Sequence, residues 1–435
     1  MRAGAPPSSR TRTVSEWESR VFPELRLRPD DRAVADALRA GSRAVVEELR
    51  EGLRIAARSW AGVVRFREFE LHILPKLAGE NLGLVGLIDY VAGIDALKRI
   101  RSNEPKSIHA AGGSLVDLIS LLLAESCERL VRGGIHSDYV ETEGDLPVLR
   151  GRLLADRQLI RRHGRVDRLE CRYDEFTSDI LENQILLGAL ALCSRVVRHP
   201  AVALRVRRLH KLFDEQCSAV GLDFRRARQD VSYHRLNEAY KEPHELAWLV
   251  AEALGVDDPF ARGAARCFCF LFDMNRLFEM FVAKWVRWVL SEDPVRVRVQ
   301  RPDRSIIWDV GARAPYRRVV PDILLEPKSG AGPRLPVDAK YKLYDERKVA
   351  SGDIYQTFLY SFAYGAPPAQ RAVLVHPASG PTPRMVRLEI RGHGGSTAAE
   401  IRVVGVHIPS ALGEATSCCV GPQSQMMRQA LLARQ

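Results

Sequence analysis

From Asp31 to Ala57 (AVADALRAGSRAVVEELREGLRIAA) apolar residues recur at helical spacing, which predicts a helical segment. The period then changes. Between Val63 and Gly79 (VVRFREFELHILPKLAG) apolar and polar positions alternate, as one or two strands of an antiparallel element would require. LGLVGLIDYVAGI and GSLVDLISLLLAESCERLVRGG read as amphipathic helices, the second stopped by Gly133 and Gly134. Two more helices follow, SDILENQILLGALALCSRVV with Ser178 as its cap and EPHELAWLVAEALG ending at Gly255. From about Pro259 the pattern is one long apolar-faced helix, ARCFCFLFDMNRLFEMFVAKWVRWVL, and then short strand-like runs. These runs are VRVRVQ, VVPDILLE, LPVDAKYK, RAVLVHP, MVRLEIRG and IRVVGVHIP, with a helix, SGDIYQTFLYSFAYG, between the third and fourth. Helix, meander, helix and further strand make an α/β unit.

Composition narrows this picture only a little. At 435 residues the chain is long enough for two or three domains, and 46% apolar with 27% charged residues is ordinary globular composition. The net charge of +11, from 65 basic against 54 acidic residues, favours a polyanionic partner such as nucleic acid. The basic residues are mostly arginine and concentrate in the middle region, in RGRLLADRQLIRRHGRVDRLECRYDEF, ALRVRRLHKLF and FRRARQD. Arg161, Arg162, Arg207 and Arg208 in these runs read either as solvated helix faces or as contacts to a DNA backbone. The eight cysteines are scattered without zinc-knuckle spacing, which suits reduced thiols in a cytoplasmic protein, and Cys267 and Cys269 fall in an apolar run as core residues. His136, His163, His210 and His234 likewise lack metal-ligand spacing. Trp285 and Trp288 read as core, and AAGGS before Leu115 as a loop leading into a helix. No segment reaches the roughly 18 consecutive apolar residues of a membrane span, and MRAGAPPSSRTRTVSEW lacks the apolar core of a secretory signal, so a flexible arm is expected there.

The chemistry lies in VVPDILLEPKSGAGPRLPVDAKYK, Val319 to Lys342. Asp322 and Asp338 each sit in an apolar, strand-like run, and the Gly/Pro loop between them lets the two strands pair. Two carboxylates brought together raise each other's pKa and are tolerated mainly when a cation lies between them. Lys340, two residues past Asp338, shares its face of the strand. The set offers two acidic ligands for a hard divalent ion and an ammonium to orient a water or offset charge on a phosphate. Pro-Asp, a spacer and Asp-x-Lys form the pattern of the PD-(D/E)XK nuclease superfamily. DIYQTFLY places Asp353, Gln356 and Tyr360 on one side of a helix, and FDMNRLFEMFV supplies Glu279 from the preceding helix. Both features occur in branches of that superfamily.

Taken together, LFDMNRLFEMF, VPDILL, VDAKYK and DIYQTFLYS resemble the McrC family, the nuclease subunit of McrBC-type modification-dependent restriction systems. FELHILPKLAGENL, LRGRLLADRQ and CRYDEFTSDILENQILLGAL resemble its N-terminal and central regions. The resemblance implies an α+β multidomain chain: a flexible arm (1–15), a mixed β/helical partner-docking region (16–120), a helical, Arg-rich middle (121–256) and an α/β restriction-endonuclease-like domain (257–435). It implies a metal site of Asp322, Asp338 and the Ala339 carbonyl for Mg²⁺, with Mn²⁺ as a substitute, and Lys340 as the water-orienting group. Glu279 and Gln356 would be outer ligands or positioning groups, and Lys342 would meet a DNA phosphate. The implied partners are double-stranded, modified DNA and a hexameric AAA+ GTPase of McrB type that this chain docks on and stimulates. No lysine follows a glycine, so the chain carries no Gly-Lys-Ser/Thr phosphate loop, and nucleotide hydrolysis is expected on the partner. The competing expectation is a catalytically silent regulatory or DNA-binding adaptor of an AAA+ NTPase.

Overall fold

The computed structural model describes residues 10–77, 80–92, 114–162, 167–254, 269–330, 332–345, 348–365 and 370–432. The chain divides into two units: Met1–Leu97, Ala265–Cys267 and Leu271–Gln435 form the first, and Lys98–Ala264 and Phe268–Phe270 the second. The stretches 16–120 and 257–435, expected as separate regions, thus both contribute to the first unit. Twelve α-helices and five sheets are present among the described residues, none of the helices being long and apolar enough to cross a membrane.

The first unit opens with β1 (Arg10–Ser15), β2 (Ser19–Phe22), α1 (Pro29–Ala40), β3 (Ala44–Leu49), β4 (Gly52–Ala57), β5 (Trp60–Arg65), β6 (Phe69–Leu74) and α2 (Glu80–Ala92). Two expectations are corrected here. Residues 10–15, expected in a flexible arm, pair in parallel with β6 from Arg10 opposite Phe69 to Ser15 opposite Leu74. Val14 is buried while Thr11 and Thr13 are exposed, so one face of this strand meets the core and the other meets solvent. The helix expected over 31–57 stops at Ala40, and the rest folds as an antiparallel hairpin. Ala44, Val46, Leu53, Ile55 and Ala57 fit both periods, but in the hairpin all five become buried. Gly52 sets the turn: its φ is 151°, and a Cβ there would lie 2.4 Å from the Phe22 carbonyl oxygen.

The second unit comprises α3 (Leu115–Gly133), β7 (Asp138–Leu146), β8 (Arg152–Leu153), α4 (Ala155–Arg162), β9 (Leu169–Thr177), α5 (Leu181–Val196), α6 (Pro200–Asp214), α7 (Phe224–Asp230) and α8 (Lys241–Ala253). Ser114 caps α3 in a reciprocal pair with Asp117. The middle is not purely helical, because β7, β9 and β8 form a three-stranded sheet in that order. β7 pairs with β9 along its whole length, from Asp138 opposite Thr177 to Leu146 opposite Leu169. Ser178 is not the cap of α5: its hydroxyl donates to the Gln216 carbonyl at 2.9 Å, and the helix begins after Ile180. Residues 110–113, His163, Gly255 and Cys267 lie outside the described residues.

Gly151, in the LRG run, has φ 66°, and a Cβ on it would fall 2.3 Å from the Arg172 carbonyl oxygen. Gly151→Ala is therefore expected to destabilise the chain by about 1–3 kcal/mol, read as a lowered midpoint in denaturant unfolding. An unchanged midpoint would show that β8 closes on β9 without needing this glycine.

The chain re-enters the first unit within β10 (Cys269–Asp273), at Leu271, and continues into α9 (Met274–Val289). The single long helix expected here is split because Phe270, Leu271 and Phe272 are buried in a strand and Asp273 accepts the Asn275 N–H at 3.0 Å, starting the helix. Trp285 is fully buried on α9, as its spacing predicts. There follow β11 (Val295–Val299), β12 (Asp303–Asp309), β13 (Ala314–Val319), β14 (Ile323–Pro327), β15 (Leu335–Ala339), α10 (Ser351–Tyr364), β16 (Gln370–Pro377), β17 (Arg384–Arg391), β18 (Thr397–Val406), α11 (Ile408–Ser417) and α12 (Pro422–Leu432). The β12–β13 hairpin has no counterpart in the expected strands.

The main sheet of this unit runs β11-β14-β15-β16-β18-β17. Its centre is mixed: β14 and β15 are antiparallel, whereas β15, β16 and β18 are parallel. Leu374, Ile401 and Val403 from the sheet pack with Ile354 and Phe358 of α10. This packing holds α10 across the parallel strands, beside the end of β15 where the carboxylates lie. Smaller sheets run in the orders β1-β6-β5-β10 and β2-β4-β3, and β12 pairs with β13.

Candidate active site

Because Ile323 stands opposite Val337, the residue just before β14 comes beside the residue after Val337. Those residues are Asp322 and Asp338. Asp322 lies immediately ahead of its strand rather than within it, and its Oδ2 accepts the Ala339 N–H at 2.8 Å. In extended backbone a residue's N–H and C=O project to the same edge, so the Ala339 carbonyl, expected as a ligand, lies on the Asp322 side. Asp338 is 1% exposed. The Lys340 ammonium sits 3.2 Å from its Oδ1 and 3.0 Å from its Oδ2, so the shared strand face expected of these two residues is realised.

Glu279 enters from α9. Burial pushes its carboxyl up to about 7, reinforced by the Asp322 charge and opposed by Lys340, which places it electrostatically in the same site. Burial likewise raises Asp338 to about 7, with Asp322 adding to it and Lys340 working against it. Burial disfavours the Lys340 charge, but Asp338 and Asp322 outweigh it and raise the lysine. From α10, the Gln356 amide donates to the Tyr360 hydroxyl at 2.8 Å, and that hydroxyl donates to the Val320 carbonyl at 3.1 Å. The pair ties the helix to the segment that presents Asp322. Lys342 is engaged by Asp353 at 2.7 Å, and Tyr344 also donates to Asp353.

One buried group had no signal in the sequence pattern. Glu16, 1% exposed, accepts the Tyr341 hydroxyl at 2.8 Å and the Lys76 N–H at 2.9 Å. It links the end of β1 to the residue directly after Lys340, and burial pushes its carboxyl up to about 7. Only long-range packing creates this contact, so local periodicity could not show it.

Arg161, Arg207 and Arg208 lie in the second unit and are exposed. Arg161 is 3.6 Å from the Glu170 carboxylate, and the Arg162 side chain lies outside the described residues.

The donor set fits a hard divalent cation. Asp338 Oδ2 is buried and makes no hydrogen bond despite its closeness to the ammonium, so it retains a lone pair for a ligand. Asp322, Asp338 and the Ala339 carbonyl offer only oxygen, the preference of Mg²⁺.

The raised carboxyls give the metal-free protein a definite pH dependence. An unfolded aspartate ionises near 3.9, whereas folded Asp338 holds its proton to about 7. Between those values the folded state binds more protons, so stability falls as pH rises from about 4 to about 7 and levels off above. Chelated protein is therefore expected to unfold at a lower temperature at pH 8 than at pH 5. Asp338→Asn should flatten that dependence while Glu16 and Glu279 remain. Equal pH dependence in the variant and the native chain would contradict the assignment.

Comparison with known proteins decides the family. A protein-family model described as "McrBC 5-methylcytosine restriction system component" matches residues 55–377. The chain belongs to this family. Among solved structures, the refined half-complex from the tetradecameric assembly of Thermococcus gammatolerans McrB AAA+ hexamers with bound McrC matches 97% of this chain and 99% of its own, at 20% identity and a TM-score of 0.59. That likeness shows a shared fold over almost the entire chain. The cryo-EM structure of the Thermococcus gammatolerans McrBC complex matches 64% of this chain and 88% of its own, at 22% identity and a TM-score of 0.44. No curated protein matches the chain.

Proposed function

We propose that this McrBC-family chain is the Mg²⁺-dependent DNA endonuclease subunit of a restriction complex, acting with an AAA+ GTPase of McrB type that brings it to modified double-stranded DNA. The observation that carries this reading is the convergence of Asp322, Asp338 and Lys340 at one end of β14 and β15, with Glu279 of α9 near enough for the charges of Asp322 and Lys340 to act on it. The partner follows from the family and from the fold shared with a McrC bound to McrB hexamers.

Asp322, Asp338 and the Ala339 carbonyl would hold the ion. Bound there, it supplies charge neutralisation at the scissile phosphate and a more acidic water. Lys340 then orients the attacking water through an ammonium proton and offsets the negative charge that grows on the phosphoryl oxygens. Glu279, raised to about 7, can take up or release a proton near working pH. Gln356 and Tyr360 keep the segment before Asp322 in place, and Lys342, still half exposed beside Asp353, is close enough in sequence to meet the DNA backbone. Arg161, Arg162, Arg207 and Arg208 supply further contacts to phosphates.

The test is reconstitution with the partner on methylated supercoiled plasmid. The native complex is expected to linearise the plasmid in Mg²⁺, and a complex carrying Asp322→Ala is expected to hydrolyse GTP without cutting. Equal cutting by both complexes would leave the adaptor reading standing instead.

A further inference from the structure

In the second unit, His136, Asp138 and His234 bring their ligand atoms within 4.8 Å of one another. Asp138 begins β7, His136 lies two residues ahead of that strand, and His234 lies in the loop between α7 and α8. Their separation in sequence hides the group from any spacing rule.

Both histidine-bearing segments are clamped by fully buried asparagines. Asn183 donates to the His136 carbonyl at 2.9 Å, and Tyr240 joins that clamp by accepting the His136 N–H at 2.9 Å and donating to Asn183 Oδ1 at 2.7 Å. Asn237 accepts the His234 N–H at 2.7 Å and donates to the Glu182 carboxylate at 2.8 Å and the Ser232 carbonyl at 2.9 Å. Glu182 and Asn183 are adjacent on the first turn of α5, so one helix end fixes both segments. Hydrogen-bonded support behind the coordinating groups is what a preorganised metal site requires.

His136 supplies the second observation. Its Nε2 is closed off from solvent and has no hydrogen-bond partner, a costly arrangement for a ring nitrogen unless a ligand satisfies it. Asp138 uses only Oδ1 in a hydrogen bond, accepting the Tyr139 N–H at 2.8 Å. His234 Nδ1 receives a long 3.2 Å contact from the Leu236 N–H, which ligation of the ring would replace.

We propose that His136, Asp138 and His234 form a site for a divalent transition-metal ion of the zinc class, distinct from the Mg²⁺ site, which clips the start of β7 to the α7–α8 loop. Two imidazoles and one carboxylate suit Zn²⁺ far better than Mg²⁺, which prefers oxygen alone. Tetrahedral ligands at about 2.0–2.1 Å from the metal stand about 3.3 Å apart. Rotation of the exposed Asp138 and His234 side chains closes the remaining gap. Three protein ligands leave a fourth position open to water or a partner group.

The test uses the purified full-length chain carrying Asp338→Ala, so that the carboxylate site does not compete. Titration with Zn²⁺ is expected to show one tightly bound equivalent, a higher unfolding temperature, and visible d–d absorption of tetrahedral type when Co²⁺ replaces zinc. His136→Ala and His234→Gln should each weaken Zn²⁺ binding by about 10-fold or more and remove the Co²⁺ bands. His234 is exposed, so its variant retains the fold even if loss of His136 perturbs the core. Absence of a bound equivalent, or Zn²⁺ affinity and Co²⁺ spectra unchanged in the folded His234→Gln chain, would overturn the proposal.

Discussion

Replacing Asp338 by alanine is expected to lower DNA cleavage by the reconstituted complex by about 10³-fold or more, with the partner's GTP hydrolysis retained. The size follows from what a bound divalent ion contributes, several kcal/mol of charge stabilisation in the transition state, each 1.36 kcal/mol being tenfold in rate. Of Asp322, Asp338 and Glu279, Asp338 is the most deeply buried, at 1% exposed, so on the proposed reading its loss removes a ligand that water cannot replace in the same place. Retained stimulation of GTP turnover by the variant separates loss of the site from loss of the fold. Plasmid cleavage and GTP turnover measured on one preparation decide the matter. Cleavage within tenfold of native would mean that the metal is held elsewhere or that the chain does not cut.

Lys340→Met is expected to reduce cleavage by about 10²–10³-fold, the loss typical of removing one preorganised donor to developing negative charge. Its signature differs from that of Asp338→Ala. The methionine variant keeps both carboxylates, so the Mg²⁺ concentration giving half-maximal rate should stay the same or fall as Asp338 loses its competing ammonium at 3.0 Å. Lys340→Arg keeps the charge but not the compact ammonium geometry and should recover only part of the rate. A methionine variant that cleaves at the native rate would reduce Lys340 to a structural counter-ion of Asp338.

Much of this site was written locally. Asp338 and Lys340 share a face because a strand repeats every two residues, and Gln356 and Tyr360 share one because a helix brings residues four apart together. Such arrangements depend on neighbours along the chain, and the α9, β14, β15 and α10 region could be read from them. The misreadings arose where one pattern satisfied two periods. Ala44, Val46, Leu53, Ile55 and Ala57 suit a helix or a hairpin, and the turn at Gly52, whose Cβ would meet the Phe22 backbone, decides between them. Similarly, the start of the expected long helix became β10 because the Asp273 side chain caps α9 at its true beginning.

By itself the sequence determined the Asp, Asp, Lys set, the two strands and following helix that carry it, and the family resemblance, since each rests on residues close in the chain. The tertiary structure decided which distant groups join them. It placed Glu279 where Asp322 and Lys340 act on its charge, joined Glu16 to Tyr341, and brought His234 to His136 and Asp138. Burial and long-range backbone clamps create those meetings, and neither is encoded in the spacing of any single segment.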